Sequence, residues 1–302
     1  MSMFLSRMMK IAAVPLLLGL SAFRSPQSES VPNHIPRYPG DQCDMDNQVF
    51  KHGEEMVYKV FYNWNFIWMS AGEVTFKVED LGDRYHFSAH GGTYKGYDAF
   101  FKVRDKYDAY VDKKTLLPIT SVREVNEGKY TLYDRLTFDR DNGKVKSLRG
   151  KTKDVAQVTE YDTDSCIHDI LSMVYCARNL NFDQMRPGQD FPIKIFIDKK
   201  TWPLKVNYKG KFANKKIRGL GHFNTVAINP EVIKGYIFKE SSNLTIWATD
   251  DKNRLPLMIE SPISIGSVKV ILKSYKGVRY PVSSKVKDKN AGEEISPEDE
   301  EK

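Results

Sequence analysis

Apolar and polar residues alternate along most of the chain between residues 54 and 280. The clearest alternating runs are 74–78, 85–89 and 202–208. Successive side chains of a β-strand point to opposite faces of the sheet, so a two-residue period is typical of strands with one buried face and one exposed face. The pattern therefore predicts a mostly β protein.

Turn-forming residues separate these runs at 81–83, 141–143, 198–200 and 250–253. Gly, Asp and Asn in such short segments favour tight connections between neighbouring strands. Short connections join antiparallel strands, whereas parallel strands need longer crossovers. The sequence thus predicts antiparallel meanders that form one or more curved or barrel-like sheets.

The segment 165–180 departs from the alternating pattern and predicts one central helix packed on the sheet. Asp164 and Ser165 can cap its N-terminus. The helix divides the β-rich region into two halves, 53–161 and 190–281, and the sequence leaves open whether they fold separately or form one sheet. The residues at helical spacing are Ile167, Ile170, Leu171, Val174 and Tyr175.

The N-terminus has the pattern of a signal peptide. Arg7 and Lys10 precede the apolar stretch 11–20, which is too short to span a bilayer but has the length of a signal-peptide core. We expect cleavage after about residue 23 and export to the periplasm or the outer envelope. No Cys directly follows the apolar stretch, so we expect neither a lipid anchor nor a transmembrane span in the mature form.

The mature chain is predicted to have three parts. Residues 24–52 are polar and contain several prolines, which is typical of an extended linker. The β-rich domain follows at 53–282. Residues 283–302 are highly charged and poor in apolar residues, so we expect a disordered tail.

The composition is ordinary for a globular protein, with 41% apolar and 28% charged residues among 302. The net charge is +7, and we interpret the excess of Lys and Arg as distributed along the chain and not concentrated in blocks. Such a surface is compatible with anionic glycans, lipid headgroups or acidic proteins. No nucleic-acid-binding module accompanies the positive charge, so nucleic acid is not an expected partner.

Three cysteines, Cys43, Cys166 and Cys176, allow at most one disulfide. On the predicted helix Cys166 and Cys176 would lie about 15 Å apart. That separation is too large for a disulfide. Cys43 can bridge to either of them in an oxidising compartment, and unpaired thiols are the alternative.

Several segments, taken together, resemble the domain-of-unknown-function 3108 family of exported bacterial proteins, in the form common among Bacteroides relatives. These segments are 70–75, 169–178, 187–188, 249–256 and 260–267. The resemblance covers most of the mature chain. It implies a mostly β exported domain and supplies neither an activity nor a site.

Known catalytic and metal-binding patterns are absent from the sequence. His86 and His90 on one strand would lie about 13 Å apart, too far for one metal ion. The segment 139–143 opens like a calcium loop but lacks the acidic residue near the twelfth position, so a turn explains it better. His168 and Ser172 share a helix face without an orienting motif. We therefore expect no metal and no cofactor, and a non-catalytic role is favoured over an enzyme.

Two groups of residues are candidate sites. The first is an aromatic stripe at even positions of one predicted strand, with Tyr62, Trp64, Phe66 and Trp68 as its ligand-binding part. Such a stripe is either core or, if the sheet curves around a cavity, a surface for a lipid, a sugar or an apolar peptide. The second is a polar band on the helix, whose residues either fix the helix to the sheet or line a cavity mouth: Asp169, Ser172, Tyr175 and Arg178.

Three functions are consistent with these patterns. The first is a non-catalytic envelope protein that binds an apolar or glycan ligand. The second is a structural or protein-interaction module of the cell envelope. The third is a hydrolase with an unrecognised site. The expected partners are accordingly a lipid, a glycan or an envelope protein.

Overall fold

The computed structural model describes residues 45–64, 67–99, 101–231, 244–262 and 267–286. The predicted signal peptide, most of the predicted linker and residues 287–302 lie outside the described residues. Phe66 and Cys43 also lie outside them.

The described chain forms fourteen strands, one α-helix and three short 3₁₀ helices. The 3₁₀ helices are Lys95–Tyr97, Lys153–Val155 and Phe182–Gln184, and the α-helix is α1 (Ile170–Arg178). The strands are β1 (Glu55–Trp64), β2 (Ile67–Asp80), β3 (Arg84–Thr93), β4 (Arg104–Asp112), β5 (Pro118–Glu127), β6 (Tyr130–Asp139), β7 (Lys144–Gly150), β8 (Gln157–Asp162), β9 (Asp190–Ile197), β10 (Lys200–Ile217), β11 (Gly221–Pro230), β12 (Thr245–Thr249), β13 (Pro256–Pro262) and β14 (Ser267–Lys276).

All fourteen strands belong to one antiparallel sheet. The strand order is β8-β7-β6-β5-β4-β3-β2-β1-β14-β13-β12-β11-β10-β9. The pairing of β1 with β14 joins the two predicted halves, so they form one continuous sheet. Within the described residues β8 and β9 do not pair with each other, and the sheet is therefore not closed. The predicted fold class, mostly β and antiparallel with one helix, is confirmed.

The two-residue period of the sequence is visible in the burial of single strands. In β4, the side chains of Asp105, Tyr107, Ala109 and Val111 are buried, whereas the residues between them are partly or fully exposed. One face of this strand lies in the core and the other faces solvent, as alternation requires. The predicted turns at 81–83, 141–143 and 250–253 lie between consecutive strands, and the turn predicted at 198–200 consists of Asp198 and Lys199, because Lys200 begins β10.

The helix begins later than predicted. Asp169 rather than Asp164 or Ser165 is its N-cap, and α1 is nine residues long. The preceding segment is extended because it pairs with β9: the Phe196 N–H donates to the His168 carbonyl at 2.9 Å. Ile167 has helical spacing, but the backbone of the neighbouring His168 bonds to β9 instead of joining the helix. This pairing determines where α1 begins.

The prediction that Cys166 and Cys176 share the helix is therefore wrong, since Cys166 precedes it. Cys166 is disulfide-bonded. Cys176, on α1, carries a free thiol and is buried.

Helix α1 connects the two halves of the sheet. It contacts β3 and β4 in the first half and β9 in the second. The Tyr175 ring stacks on Phe87 of β3 with 3.9 Å between the ring centroids, and it meets Phe50 edge-on at 5.1 Å. These three aromatic side chains are almost fully buried and form the centre of the largest core cluster.

Both ends of the described chain pack on the domain. Met45, Val49 and Phe50, from the end of the predicted linker, are buried in the core. Residues 283–286, assigned by the sequence to the tail, run along the start of β11, where Val286 N–H donates to the His222 carbonyl at 2.8 Å. Ser284 is buried as a result.

Candidate functional site

The predicted aromatic stripe is split between two strands. Residue 64 ends β1 and residue 67 begins β2, so Tyr62 and Trp68 lie on different strands. Tyr62 is directly opposite Met69, and Trp68 is directly opposite Asn63. Directly opposite residues of an antiparallel pair share one face, and neighbouring residues point to opposite faces. Tyr62 and Trp68 are therefore on opposite faces, and the prediction of one strand with one aromatic face is wrong.

The surroundings of these two rings differ accordingly. Tyr62 is buried in the main core cluster. Trp68 is half-buried, and the Lys269 Nζ atom lies 4.7 Å from its ring centroid. The side chain of Trp64 and the whole of Phe66 lie outside the described residues. The ligand-binding role of these residues stays a prediction.

The polar band of the helix is buried and makes structural contacts. Asp169 and Ser172 form a capping box: the Ser172 N–H donates to Asp169 Oδ1, and the Asp169 N–H donates to Ser172 Oγ, both at 3.1 Å. Arg178 donates to both carboxylate oxygens of Glu54, at 2.6 and 3.0 Å. Tyr175 is packed among aromatic rings. A role of this band at a cavity mouth stays a prediction.

A serine–histidine contact exists at the start of this helix, with His168 preceding α1 and Ser172 on it, and it is sealed from solvent. The His168 Nδ1 atom lies 3.1 Å from Ser172 Oγ. Both residues have an exposed fraction of 0%. A substrate cannot reach the hydroxyl in this conformation, so the geometry gives no support to the hydrolase hypothesis.

A buried ring of four charges, which we call the Arg–Asp ring, joins the two ends of the sheet. It consists of Arg123 on β5, Asp134 on β6, Arg149 on β7 and Asp198 in the β9–β10 turn. Each arginine donates to both aspartates, at distances from 2.6 to 2.9 Å. Ser147 Oγ also donates to Asp134, at 2.9 Å.

The ring attaches the β9–β10 turn to the inner side of β5–β7. Asp198 and Lys199 both have positive φ angles, 53° and 68°. This conformation is unfavourable for residues other than glycine, and the ion pairs of Asp198 offset part of that cost. Burial lowers the pKa of Arg123, but the charges of Asp198 and Asp134 outweigh it and the net pKa is raised. Arg123 therefore remains charged.

A second buried acid lies close to the ring. Asp105 on β4 is 1% exposed. Burial raises its pKa to about 6, although hydrogen bonds from the Asn126 backbone N–H and with Glu127 act in the opposite direction. A pocket of about 10 Å³ lies between Tyr107, Arg123 and Asp169. This volume has room for about one water molecule and not for a lipid or a sugar.

The residue pattern predicts neither the Arg–Asp ring nor the burial of Asp105. Arg123 and Asp198 are 75 residues apart. The sequence contains one local indication of a buried charge, which is a charged residue at a position that the alternating pattern assigns to the buried face. Asp105 is such a residue, because its neighbours Arg104 and Lys106 are partly exposed and exposed.

Strand β8 is the outermost strand at one end of the sheet in the described part of the chain. In the described residues it pairs only with β7, and five of its six residues are exposed. Val158 on β8 is 66% exposed, and Val155 just before it is 62% exposed. Free backbone groups on such an edge can accept an additional strand. This β8 edge, residues 155–162, is the candidate interaction site.

The family model described as "Protein of unknown function (DUF3108)" matches residues 57–273. The chain belongs to this family. The match spans strands β1 to β14 and so includes the Arg–Asp ring and the β8 edge. No curated protein matches the chain.

Two solved structures are similar to this DUF3108 protein. One is the beta-barrel-like protein of domain of unknown function DUF1849 from Brucella abortus, with 8% identity and a TM-score of 0.52 over 76% of this chain and 98% of the other. The other is a candidate lipoprotein from Parabacteroides distasonis ATCC 8503, with 11% identity and a TM-score of 0.29 over 78% of this chain and 99% of the other. At this identity the first likeness concerns the fold alone, and it agrees with the barrel-like sheet.

The described residues contain no group of three or more His, Cys, Asp or Glu side chains that could hold a metal ion. None of the helices in the described part of the chain is both long enough and apolar enough to cross a bilayer.

Proposed function

We propose that this DUF3108 protein is an exported, non-catalytic interaction module of the cell envelope whose β8 edge binds an extended segment of a partner protein. The observation that carries the proposal is the outermost position of β8, with five exposed residues of six and no strand on its outer side among the described residues. Main-chain hydrogen bonds to such an edge give affinity, and alternate side chains give specificity.

The apolar residues at this edge favour a protein partner. Val155 and Val158 are two of the five large hydrophobic side chains that are exposed in the described residues. They lie three positions apart, whereas the other three are distributed over other elements. Exposed apolar side chains beside an unpaired strand are the arrangement that proteins normally avoid unless a partner covers them.

The acidic residues of β8 do not prevent an additional strand from binding at this edge. Glu160 pairs with Lys146 at 3.3 Å and Asp162 pairs with Lys144 at 3.0 Å, both across to β7. Because the two lysines partly neutralise these carboxylates, Glu160 and Asp162 repel an incoming strand less than unpaired carboxylates would.

The other predicted roles receive less support from the geometry. An apolar or glycan ligand inside the sheet would need a cavity, but Tyr62 is packed in the core and the pocket beside Arg123 has about 10 Å³. The sealed position of Ser172 argues against hydrolysis. Export is supported by the disulfide of Cys166, because disulfides persist in oxidising compartments and are rare in the cytosol.

Site-specific photo-crosslinking in cells tests the proposed edge. A photoreactive amino acid at position 158 should yield a reproducible covalent adduct with another envelope protein. The matched control is position 81, where Leu81 is 50% exposed in the β2–β3 turn. Val158→Lys should abolish the adduct formed from position 155, whereas Leu81→Lys should not. Equal adducts from positions 158 and 81, or recovery of the chain as a lone monomer in each case, would refute the proposal.

A further inference from the structure

The β10–β11 hairpin carries a concentrated positive charge that contrasts with the even distribution expected from the sequence. Residues 199–230 contain eight Lys or Arg residues and no Asp or Glu. Four of these cations lie on the half of β10 that leads to the hairpin tip, and a fifth lies in the turn after it: Lys209, Lys211, Lys215, Lys216 and Arg218. We call this set the basic hairpin.

Part of the basic hairpin is neutralised inside the domain. Lys211 pairs with Asp183 at 2.6 Å and with Asp250 at 3.1 Å. The Lys215 Nζ atom lies 4.0 Å from the Trp247 ring centroid. Lys209, Lys216 and Arg218 are exposed and form no ion pair with a carboxylate of the described residues. Three cations of the basic hairpin therefore have no carboxylate partner among the described residues, and the Arg218 guanidinium lies 6.0 Å from the Phe61 ring centroid.

The described chain ends at this hairpin and points toward its tip. Lys285 forms an antiparallel bridge with Phe223, and the Val286 N–H donates to the His222 carbonyl. Because β11 runs away from the tip, an antiparallel segment at 284–286 runs toward it. His222 is directly opposite Lys216 in the β10–β11 register, so Val286, the last described residue, is separated from Lys216 only by strand β11.

The sequence that follows has the complementary charge. Residues 293–301 contain six Asp or Glu and no Lys or Arg. The intervening residues 287–292 span up to about 20 Å when extended, which is enough to reach the basic hairpin. Tethering at residue 286 also gives this segment a high effective concentration at the hairpin, in the millimolar range for short flexible linkers.

We propose that the acidic segment 293–301 docks on Lys209, Lys216 and Arg218 of its own chain. The segment thereby covers the basic hairpin and excludes other polyanions from it. The interaction consists of exposed ion pairs between flexible side chains, so it is weak pair by pair and sensitive to salt. It is independent of the β8 edge, since β8 and β10 belong to opposite ends of the sheet order.

Zero-length carbodiimide crosslinking of the full mature chain, followed by mass spectrometry, tests this docking. Crosslinks from residues 293–301 should concentrate on Lys209 and Lys216. The controls are Lys106 and Lys151, which are exposed on other strands or turns. Raising NaCl to about 0.5 M shortens the screening length to about 4 Å and should remove these crosslinks without any substitution.

Charge reversal gives a second, independent readout. The single variant Arg218→Glu keeps the Lys209 and Lys216 amines and should lower the crosslink yield to them by about fivefold. The triple variant Lys209→Glu, Lys216→Glu, Arg218→Glu removes these amines as well as the positive charge, so it should form none of these crosslinks. The control variant Lys106→Glu, Lys151→Glu should leave the crosslink yield to Lys209 and Lys216 unchanged.

Charge exchange then tests whether the contact is direct. Glu298→Lys, Glu300→Lys and Glu301→Lys should restore crosslinking in the triple variant. Equal labelling of all exposed lysines, an unchanged crosslink yield in Arg218→Glu, or crosslinked peptides that join two isotopically distinct chains would each overturn the proposal.

Discussion

The buried acid Asp105 should make the stability of the protein fall as the pH rises through the mildly acidic range. Burial raises its pKa from 3.8 to about 6 in the folded chain. Below about pH 4 the carboxyl is protonated in both the folded and the unfolded state. Between about pH 4 and pH 6 the unfolded chain releases this proton while the folded chain retains it, so unfolding becomes easier.

The expected size of the effect follows from the two pKa values. A difference of about two pH units corresponds to about 3 kcal/mol of unfolding free energy, which is lost by about pH 6 and not regained above it. Asp105→Asn removes the ionisation but keeps an oxygen that can accept the Asn126 backbone N–H, now at 2.8 Å. The variant should therefore match the wild type near pH 4 and exceed its stability by up to about 3 kcal/mol near pH 7.

Denaturant unfolding of both proteins at a series of pH values measures this difference. Subtracting the two curves removes the contributions of titrating groups that do not interact with Asp105, and Glu127, which hydrogen-bonds to it, belongs to the measured difference. Asp141→Asn, at an exposed position in the β6–β7 turn, is the matched control and should give a flat difference. If the difference for Asp105→Asn is equally flat from about pH 4 to pH 8, the burial argument is refuted.

Three further outcomes are expected. Glu54→Gln leaves the buried Arg178 without its carboxylate partner and should cost about 3–5 kcal/mol in denaturant unfolding; a loss below about 1 kcal/mol would contradict the assigned pairing. Asp169→Ala removes the N-cap of α1 and should cost about 1–2 kcal/mol, whereas Asp169→Asn should restore most of it; equal losses would exclude a capping role. Burial raises the pKa of the Cys176 thiol to about 12, so iodoacetamide should modify it only after denaturation, and rapid labelling of the native protein, read by intact mass, would contradict its burial.

The candidate residues show why local patterns predict elements better than sites. The even spacing of Tyr62, Trp64, Phe66 and Trp68 predicts one aromatic face only if the strand continues through residue 66. The change of strand between residues 64 and 67 places Tyr62 and Trp68 on opposite faces. Aromatic residues fit a strand on either side of a hairpin, so their spacing alone carries no information about where the chain reverses.

The start of α1 illustrates a competition that spacing cannot resolve. Ile167 fits the helical period, but the backbone of His168 bonds to β9 instead. The outcome depends on whether β9 lies within hydrogen-bonding distance, and β9 begins more than twenty residues later in the chain. Tertiary contacts override helical propensity in such segments.

The sequence by itself determined the β-rich class, the antiparallel connections and the presence of one helix, because alternation, turn residues and helical spacing act between neighbours in the chain. Only the tertiary structure decided that β1 pairs with β14 to make one sheet, that Arg123 meets Asp198, and that β8 pairs with β7 alone among the described residues. Each of these features depends on segments that are far apart in sequence and become neighbours only when the sheet forms. Their energies come from burial and ion pairing in the assembled fold, and no local pattern of residue types encodes which distant segments will meet.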